Sequence, residues 1–301
     1  MQTHHHHDHS ALMPSDRHMG RALVIGIVLN AGFVLAEFTA GIVYDSMGLL
    51  ADAGHNLSDV GGLLLSLIAF LLAQRQRTKY YSYGFRKATV LAALINATIL
   101  FVAVAVIIFE CLERIRQPVA IGGWPLIITA GIGIVVNGLT VLLFHRGKDR
   151  DLNIKSAYLH MLADTLVSVG VVLSGGLILW TGLTIIDPVV GLLVATVILF
   201  SAVRLMRESF RLAMDGVPTG LDAELIRVQM QSIENVKAVH HIHIWPISTT
   251  ENALTAHVVL QAISAMEVTK LALRQELRQR GIAHTTLEFE EESTTCTDVA
   301  I

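Results

Sequence analysis

Charge is what this chain of 301 residues lacks most. Lysine, arginine, aspartate and glutamate together make up 16% of it, against 53% apolar residues and a mean hydropathy of +0.58. Soluble domains carry about 25% charged residues, so the shortage excludes an ordinary soluble protein and points to a multi-spanning membrane protein. Cysteine is nearly absent. Cys111 lies in an apolar stretch and Cys296 in a polar tail, so no disulfide framework is implied. Surplus positive charge is missing too: the net charge is −3 and the isoelectric point about 6.5, which gives no reason to expect nucleic acid as a partner. The N-terminus, MQTHHHHDHSALMPSDRHMG, lacks the basic-then-apolar layout of a cleaved signal peptide. Neither H-E-x-x-H, nor a G-x-S-x-G elbow, nor a Gly-rich phosphate loop occurs, so enzymatic chemistry is not expected. Histidine, by contrast, is plentiful at 14 residues.

A spanning helix needs about 20 mostly apolar residues. Windows at roughly 21–44, 48–73, 88–113, 123–145, 156–181 and 186–207 meet that length. Basic residues crowd the second connection (Arg75, Arg77, Lys79, Arg86, Lys87) and the fourth (Arg146, Lys148, Arg150, Lys155). Positive charge marks the cytoplasmic side, so both termini are expected inside, against the dissent of Arg114 and Arg116. Trp124 and Trp180 then fall at the outer interface.

Beyond about residue 214 the hydropathy drops and the periodicity changes. Residues 221–233 and 265–281 read as helices, and 236–247, 253–263 and 284–290 as strands. The expected fold is an α-helical membrane protein with six transmembrane helices and a C-terminal cytoplasmic α+β domain of order αββαβ, an open-faced sandwich of ferredoxin-like type. The expected divisions are a His-rich arm (1–19), the membrane domain (20–213), the cytoplasmic domain (214–292) and a short tail (293–301).

Polar residues inside the apolar windows carry the chemistry. LLADAGHNLSD holds His55 and Asp59, and SAYLHMLADTL holds His160 and Asp164, each pair four residues apart on one helix face. A charged side chain near the bilayer centre costs at least about 2.5–3.5 kcal/mol, and a divalent cation neutralises two carboxylates directly. Two imidazoles and two carboxylates suit tetrahedral zinc, and they leave no evident open position for the activated water that a hydrolytic zinc needs. The competing explanation, helix-to-helix hydrogen bonding, suits one such pair better than two of identical spacing.

These residues resemble the cation diffusion facilitator family, in particular its bacterial zinc-efflux branch. The resemblance covers roughly residues 15–292 and rests on both H-x-x-x-D pairs, SMGLLADAGHNLSD, YSYGFRKATVLAALIN, IRQP after the third window, and VHHIHIW in the tail. It implies a homodimer of the inner membrane that exports Zn2+, with Cd2+ or Co2+ as further candidates, in exchange for protons. It also implies metal ligands at His240, His257 and Glu290 in a metallochaperone-like cytoplasmic domain, and a charge pair between Lys87 and Asp215. In one departure, the 74–87 connection carries tyrosines and a phenylalanine where some members hold a second metal, so no site is expected there.

Metal and protons compete for the same ligand groups, and that competition is the expected exchange device. Several accessory positions stay open. Glu37 is a carboxylate among lipid and needs a partner or a proton. Asn30, Asn96 and Asn137 read as helix-bridging amides. Asp52 either attracts cations or faces an aqueous cavity. Lys87 is either an inside-positive anchor or the interlock cation. Strand alternation places His241 and His243 on one face and His240 on the other, with His284 as a further candidate; a solvated surface is the alternative for all of the tail histidines. The segment HHHHDH (4–9) is either a zinc-capturing arm or a partial tag, and Cys296 a lone thiol. A membrane-anchored metal sensor signalling through the tail is the second reading, and a metal site buried between spans weighs against it.

Overall fold

The computed structural model describes residues 14–43, 47–116, 124–183 and 185–291. Six long helices come first: α1 (Pro14–Val43), α2 (Met47–Ala73), α3 (Ala88–Arg116), α4 (Trp124–His145), α5 (Leu152–Thr181) and α6 (Ile186–Ala213). They are followed by α7 (Ala223–Gln231), β1 (Val236–Pro246), β2 (Asn252–Leu260), α8 (Met266–Gln279) and β3 (Ile282–Glu291). The chain is a helical membrane domain followed by a cytoplasmic domain of the expected αββαβ order.

Each of the six apolar windows lies on one of α1–α6. Among the described residues Gly20–Ala40, Ala88–Arg116 and Pro188–Ala213 are long and apolar enough to cross a membrane by length and composition alone. Apolar side chains point outward along the helices, Leu35 at 67% and Phe200 at 75% exposure, as a lipid-facing surface requires. Helix ends depart from the hydropathy windows for local reasons. α5 begins at Leu152 because the Asp151 carboxylate accepts from the backbone N–H groups of Asn153 (2.8 Å) and Ile154 (3.1 Å). α6 continues through Arg204, Arg207 and Arg211, since charge interrupts hydropathy but not helix.

Contacts divide the chain into two compact units. The first comprises Met1–Leu71 and Ile99–Ala202. Here Leu23, Leu63, Phe144, Ile154, Ala157 and Met161 form a buried cluster drawn from α1, α2, α4 and α5. α1 approaches α4 closely at Gly26, where a Cβ would stand 2.8 Å from Cζ of Phe144. One turn on, the Asn30 amide donates to Gly26 O (2.9 Å) and Thr140 Oγ1 (3.3 Å), a bridge between α1 and α4 of the kind expected for the asparagines.

The second unit comprises Leu72–Thr98 and Val203–Ile301. Its sheet has the order β1-β2-β3, with β1 antiparallel and β3 parallel to β2. Leu254, Ala256, Val258 and Leu260 of β2 share one face and join Ile226 and Met230 of α7 and Leu273 and Leu277 of α8 in a single core. Both helices therefore cover the same face of the sheet, and His240, Thr255 and His257 lie on the other. Val239 and Ile244 of β1 belong to this core although they are five residues apart. Strict alternation would send them to opposite faces. A bulge resolves the conflict: His240 pairs with His257 and His243 with Thr255, so β1 spends one residue more than β2 between those rungs. His241 occupies the bulge with φ of +49°.

Candidate metal centre

In the membrane unit, α2 and α5 bring Asp59, His160 and Asp164 together, their ligand-capable atoms all within 4.8 Å of one another. Nε2 of His160 contacts Oδ1 of Asp59 directly and lies 3.8 Å from Oδ2 of Asp164. The one-turn spacing on α5 places His160 and Asp164 side by side, and Asp59 reaches them from α2. All three side chains are largely withdrawn from solvent, at 3%, 13% and 14% exposure for Asp59, His160 and Asp164. Two carboxylates around one imidazole in so poorly solvated a place are unfavourable unless positive charge joins them. The backbone of His55 lies on α2 one turn before Asp59; the side chains of His55 and Asp52 are outside the described residues.

Glu37 has found its partner. It is 3% exposed, and Asn56 Nδ2 donates to its Oε2 at 2.6 Å, joining α1 to α2. Nothing local in the sequence singles out Asn56, since the pair is separated by 19 residues on different helices. Its position between His55 and Asp59 was the available signal.

The tail gathers a second group. His240 and His257 are direct rung partners, and the parallel register with β3 sets Glu288 and Glu290 on the same side of the sheet. Ligand-capable atoms of His240, His257 and Glu290 lie within 4.8 Å of one another. Nδ1 of His257 is 2.6 Å from Oε1 of Glu290, and Nε2 of His240 is 3.5 Å from Oε2 of the same carboxylate. Alternation misplaced His241. The bulge at His241 cancels the change of face, so His240 and His243 point the same way, and the His241 ring stands 5.3 Å from that of His240. His243 is exposed and opposite Thr255. His284 stands apart from the cluster, its ring edge-on to Tyr83 at 5.5 Å. HHHHDH and Cys296 lie outside the described residues.

Lys87 and Asp215 are paired. The Lys87 ammonium meets the Asp215 carboxylate and also donates to Pro246 O (3.2 Å) and Leu212 O (3.3 Å). Two contacts beside it had no sequence signal: Arg86 pairs with Glu251, and Thr249 N donates to Thr89 Oγ1 at 3.1 Å.

The chain thus carries a histidine–aspartate cluster between long apolar helices and a histidine–glutamate cluster on the small tail sheet. Residues 23–213 match the model of the cation efflux transmembrane domain, and residues 218–291 that of the cation efflux protein cytoplasmic domain. The chain belongs to the cation efflux family. Its similarity to individual members of that family extends over most of their length. It is 38% identical to zinc transporter ZitB of Escherichia coli over 84% of this chain and 82% of that protein. With the cadmium, cobalt and zinc/H(+)-K(+) antiporter of Bacillus subtilis it shares 34% identity over 91% of this chain and 89% of the relative. With the metal cation efflux system protein CzcD of Cupriavidus metallidurans the figure is 31%, over 95% and 89%. Membership of the cation efflux family makes the chain one of a group of membrane transporters rather than enzymes.

Proposed function

We propose that this chain is a Zn2+/H+ antiporter that exports zinc from the cytoplasm across the inner membrane, working as a homodimer with six spans and both termini inside. The observation that carries the reading is the meeting of Asp59, His160 and Asp164 between two membrane helices, at the spacing that leaves His55 one turn away on the face of Asp59. His55, Asp59, His160 and Asp164 are assigned to one tetrahedral transport site with zinc as its substrate. The names of the relatives, which speak of zinc, cadmium and cobalt, support this class of substrate, with Cd2+ and Co2+ as further cargo.

The exchange follows from ligand chemistry. Zinc takes neutral imidazole and ionised carboxylate; protons take the same atoms. The contact between His160 and Asp59 is one that a proton can occupy when metal does not. Protons arriving from outside displace the metal outward, and their loss to the cytoplasm restores the ligands, with the two sides reached alternately by helix rocking around a fixed site. In the tail, His240, His257 and Glu290 are assigned to a regulatory metal site, and Lys87–Asp215 to the joint between loop and cytoplasmic domain. The dimer contact takes its support from the family of the cytoplasmic domain.

The test is zinc uptake into proteoliposomes under an imposed pH gradient, wild type against Asp164→Ala. Gradient-driven uptake that disappears in the variant is the expected result. If neither protein moves zinc while both still bind it through the tail, the antiporter reading fails and a membrane-anchored sensor takes its place.

A further inference from the structure

The polar face of the tail sheet holds three imidazoles in mutual reach, not two. We propose that His241 is a metal ligand, so that His240, His241, His257 and Glu290 together form a four-coordinate centre of three nitrogens and one oxygen. This rests on the tail-site reading above and extends it.

Ring geometry is the first argument. The centroids of His240 and His241 are 5.3 Å apart, those of His240 and His257 5.3 Å, and those of His241 and His257 5.2 Å, a nearly equilateral triangle. A zinc–nitrogen bond of about 2.0–2.1 Å puts an imidazole centre roughly 3.2 Å from the metal, and a tetrahedral angle then separates two such centres by about 5.2 Å. The triangle already has the dimensions of a three-histidine site, and a metal held by all four residues requires the His241 ring to turn a nitrogen toward the atoms gathered from His240, His257 and Glu290.

The backbone supplies the second argument. The bulge is required by the core, because Val239 and Ile244 must both face α7 and α8. Its left-handed residue is a histidine where glycine would sit without strain. Strain of this kind persists where it presents a side chain to a ligand. Here it brings to the polar face a ring that regular alternation would have turned away from His240.

The third argument is an unmet bond. Nε2 of His240 is buried and makes no hydrogen bond, although it lies 3.5 Å from the buried Glu290 carboxylate. A buried ring nitrogen without a partner needs an explanation, and a cation shared with Glu290 and His257 Nδ1 provides one. Glu288 lies 3.7 Å from the other nitrogen of the His257 ring. A donor set dominated by imidazole favours zinc and cobalt over magnesium, calcium and manganese.

The experiment uses the purified full-length protein in detergent, with Co2+ as the probe and reducing agent present. His241→Cys should add a thiolate-to-cobalt charge-transfer band that neither wild type nor His243→Cys shows; Cys111 and Cys296 are common to all three and cancel. His241→Gly, which suits the left-handed backbone and so leaves folding intact, should weaken the tail equivalent of metal at least about tenfold, the scale on which ligand support acts, whereas His243→Ala should not. No new band in His241→Cys, with unchanged affinity in His241→Gly while His257→Ala loses the tail equivalent, would overturn the role of His241 and leave the tail site standing. Full stoichiometry and affinity in His257→Ala would overturn the tail site itself.

Discussion

The pair Glu37–Asn56 offers a decisive test of how polar groups are tolerated in the membrane unit. Both residues are buried, at 3% and 7% exposure, and the amide donates to the carboxylate at 2.6 Å. Neutral side-chain hydrogen bonds between membrane helices average about 0.6 kcal/mol. Leaving a buried partner unsatisfied costs more, about 1–3 kcal/mol. Asn56→Leu removes one donor from the buried Glu37 side chain and should destabilise by about 1–3 kcal/mol; Glu37→Met removes the acceptor of the Asn56 amide and should cost about 1–3 kcal/mol. The double variant replaces both polar groups with apolar ones of similar size and should be less destabilised than either single variant, giving a coupling of at least about 1 kcal/mol. Reversible unfolding in mixed micelles measures all four proteins. Additivity within about 0.5 kcal/mol would refute the pairing as an energetic unit. Zinc uptake in the same four proteins separates two roles. Recovery of uptake in the double variant would make the pair structural, and continued loss would put Glu37 on the transport path.

Two further outcomes follow from packing and ligand chemistry. Gly26→Ala sets a methyl 2.8 Å from the ring of the fully buried Phe144 and should destabilise by about 1–3 kcal/mol in micelle unfolding, whereas Gly32→Ala, on the same helix with nothing within 4 Å, should be neutral or slightly stabilising. Because zinc needs deprotonated ligands, its affinity for the transport site should fall as pH drops from 8 to 6, by about tenfold per unit for each proton displaced. Competition titration against a fluorescent zinc indicator measures the slope, and a pH-independent affinity would contradict the exchange scheme.

What the sequence made legible was local. The apolar windows marked the helices, and the i, i+4 spacing of His160 and Asp164 marked two groups that do meet. The αββαβ order of the tail was readable from the change between helical and strand periodicity. What stayed hidden depends on contacts between distant residues. Asn56 is unremarkable until α1 is laid beside α2, and Arg86 until the turn after β1 is brought to it. The start of α5 was set by a capping carboxylate that hydropathy scores as loop. The parity of β1 failed for an instructive reason. Val239 and Ile244 are both strongly apolar and five apart, an odd interval that a regular strand cannot bury on one face, so the bulge was signalled by the same residues whose alternation hid it.

That bulge also divides β1 into two parts. Toward the C-terminal end, His243, Ile244, Trp245 and Pro246 pair regularly with Thr255, Leu254, Ala253 and Asn252. The turn that follows is held to the start of α3 by Thr249 on Thr89, Glu251 on Arg86, and Pro246 O on Lys87. On the N-terminal side His240 leads into the bulge at His241, and a second register shift falls between Val236 and Ala238. From His240 to Pro246 the strand covers about 20 Å at roughly 3.3 Å per residue. The regular part moves as one body with β2, because shifting it alone would break several ladder bonds at about 1 kcal/mol each. The contacts at the turn are mostly partly exposed, so each contributes only about 1 kcal/mol or less. The ladder of β1 is therefore least regular at the histidine bulge and at Val236–Ala238, while its C-terminal end is tied by the contact to Lys87. Metal held by His240, His257 and Glu290 would tie β1 to β2 and β3 beside the bulge, where the ladder itself is interrupted.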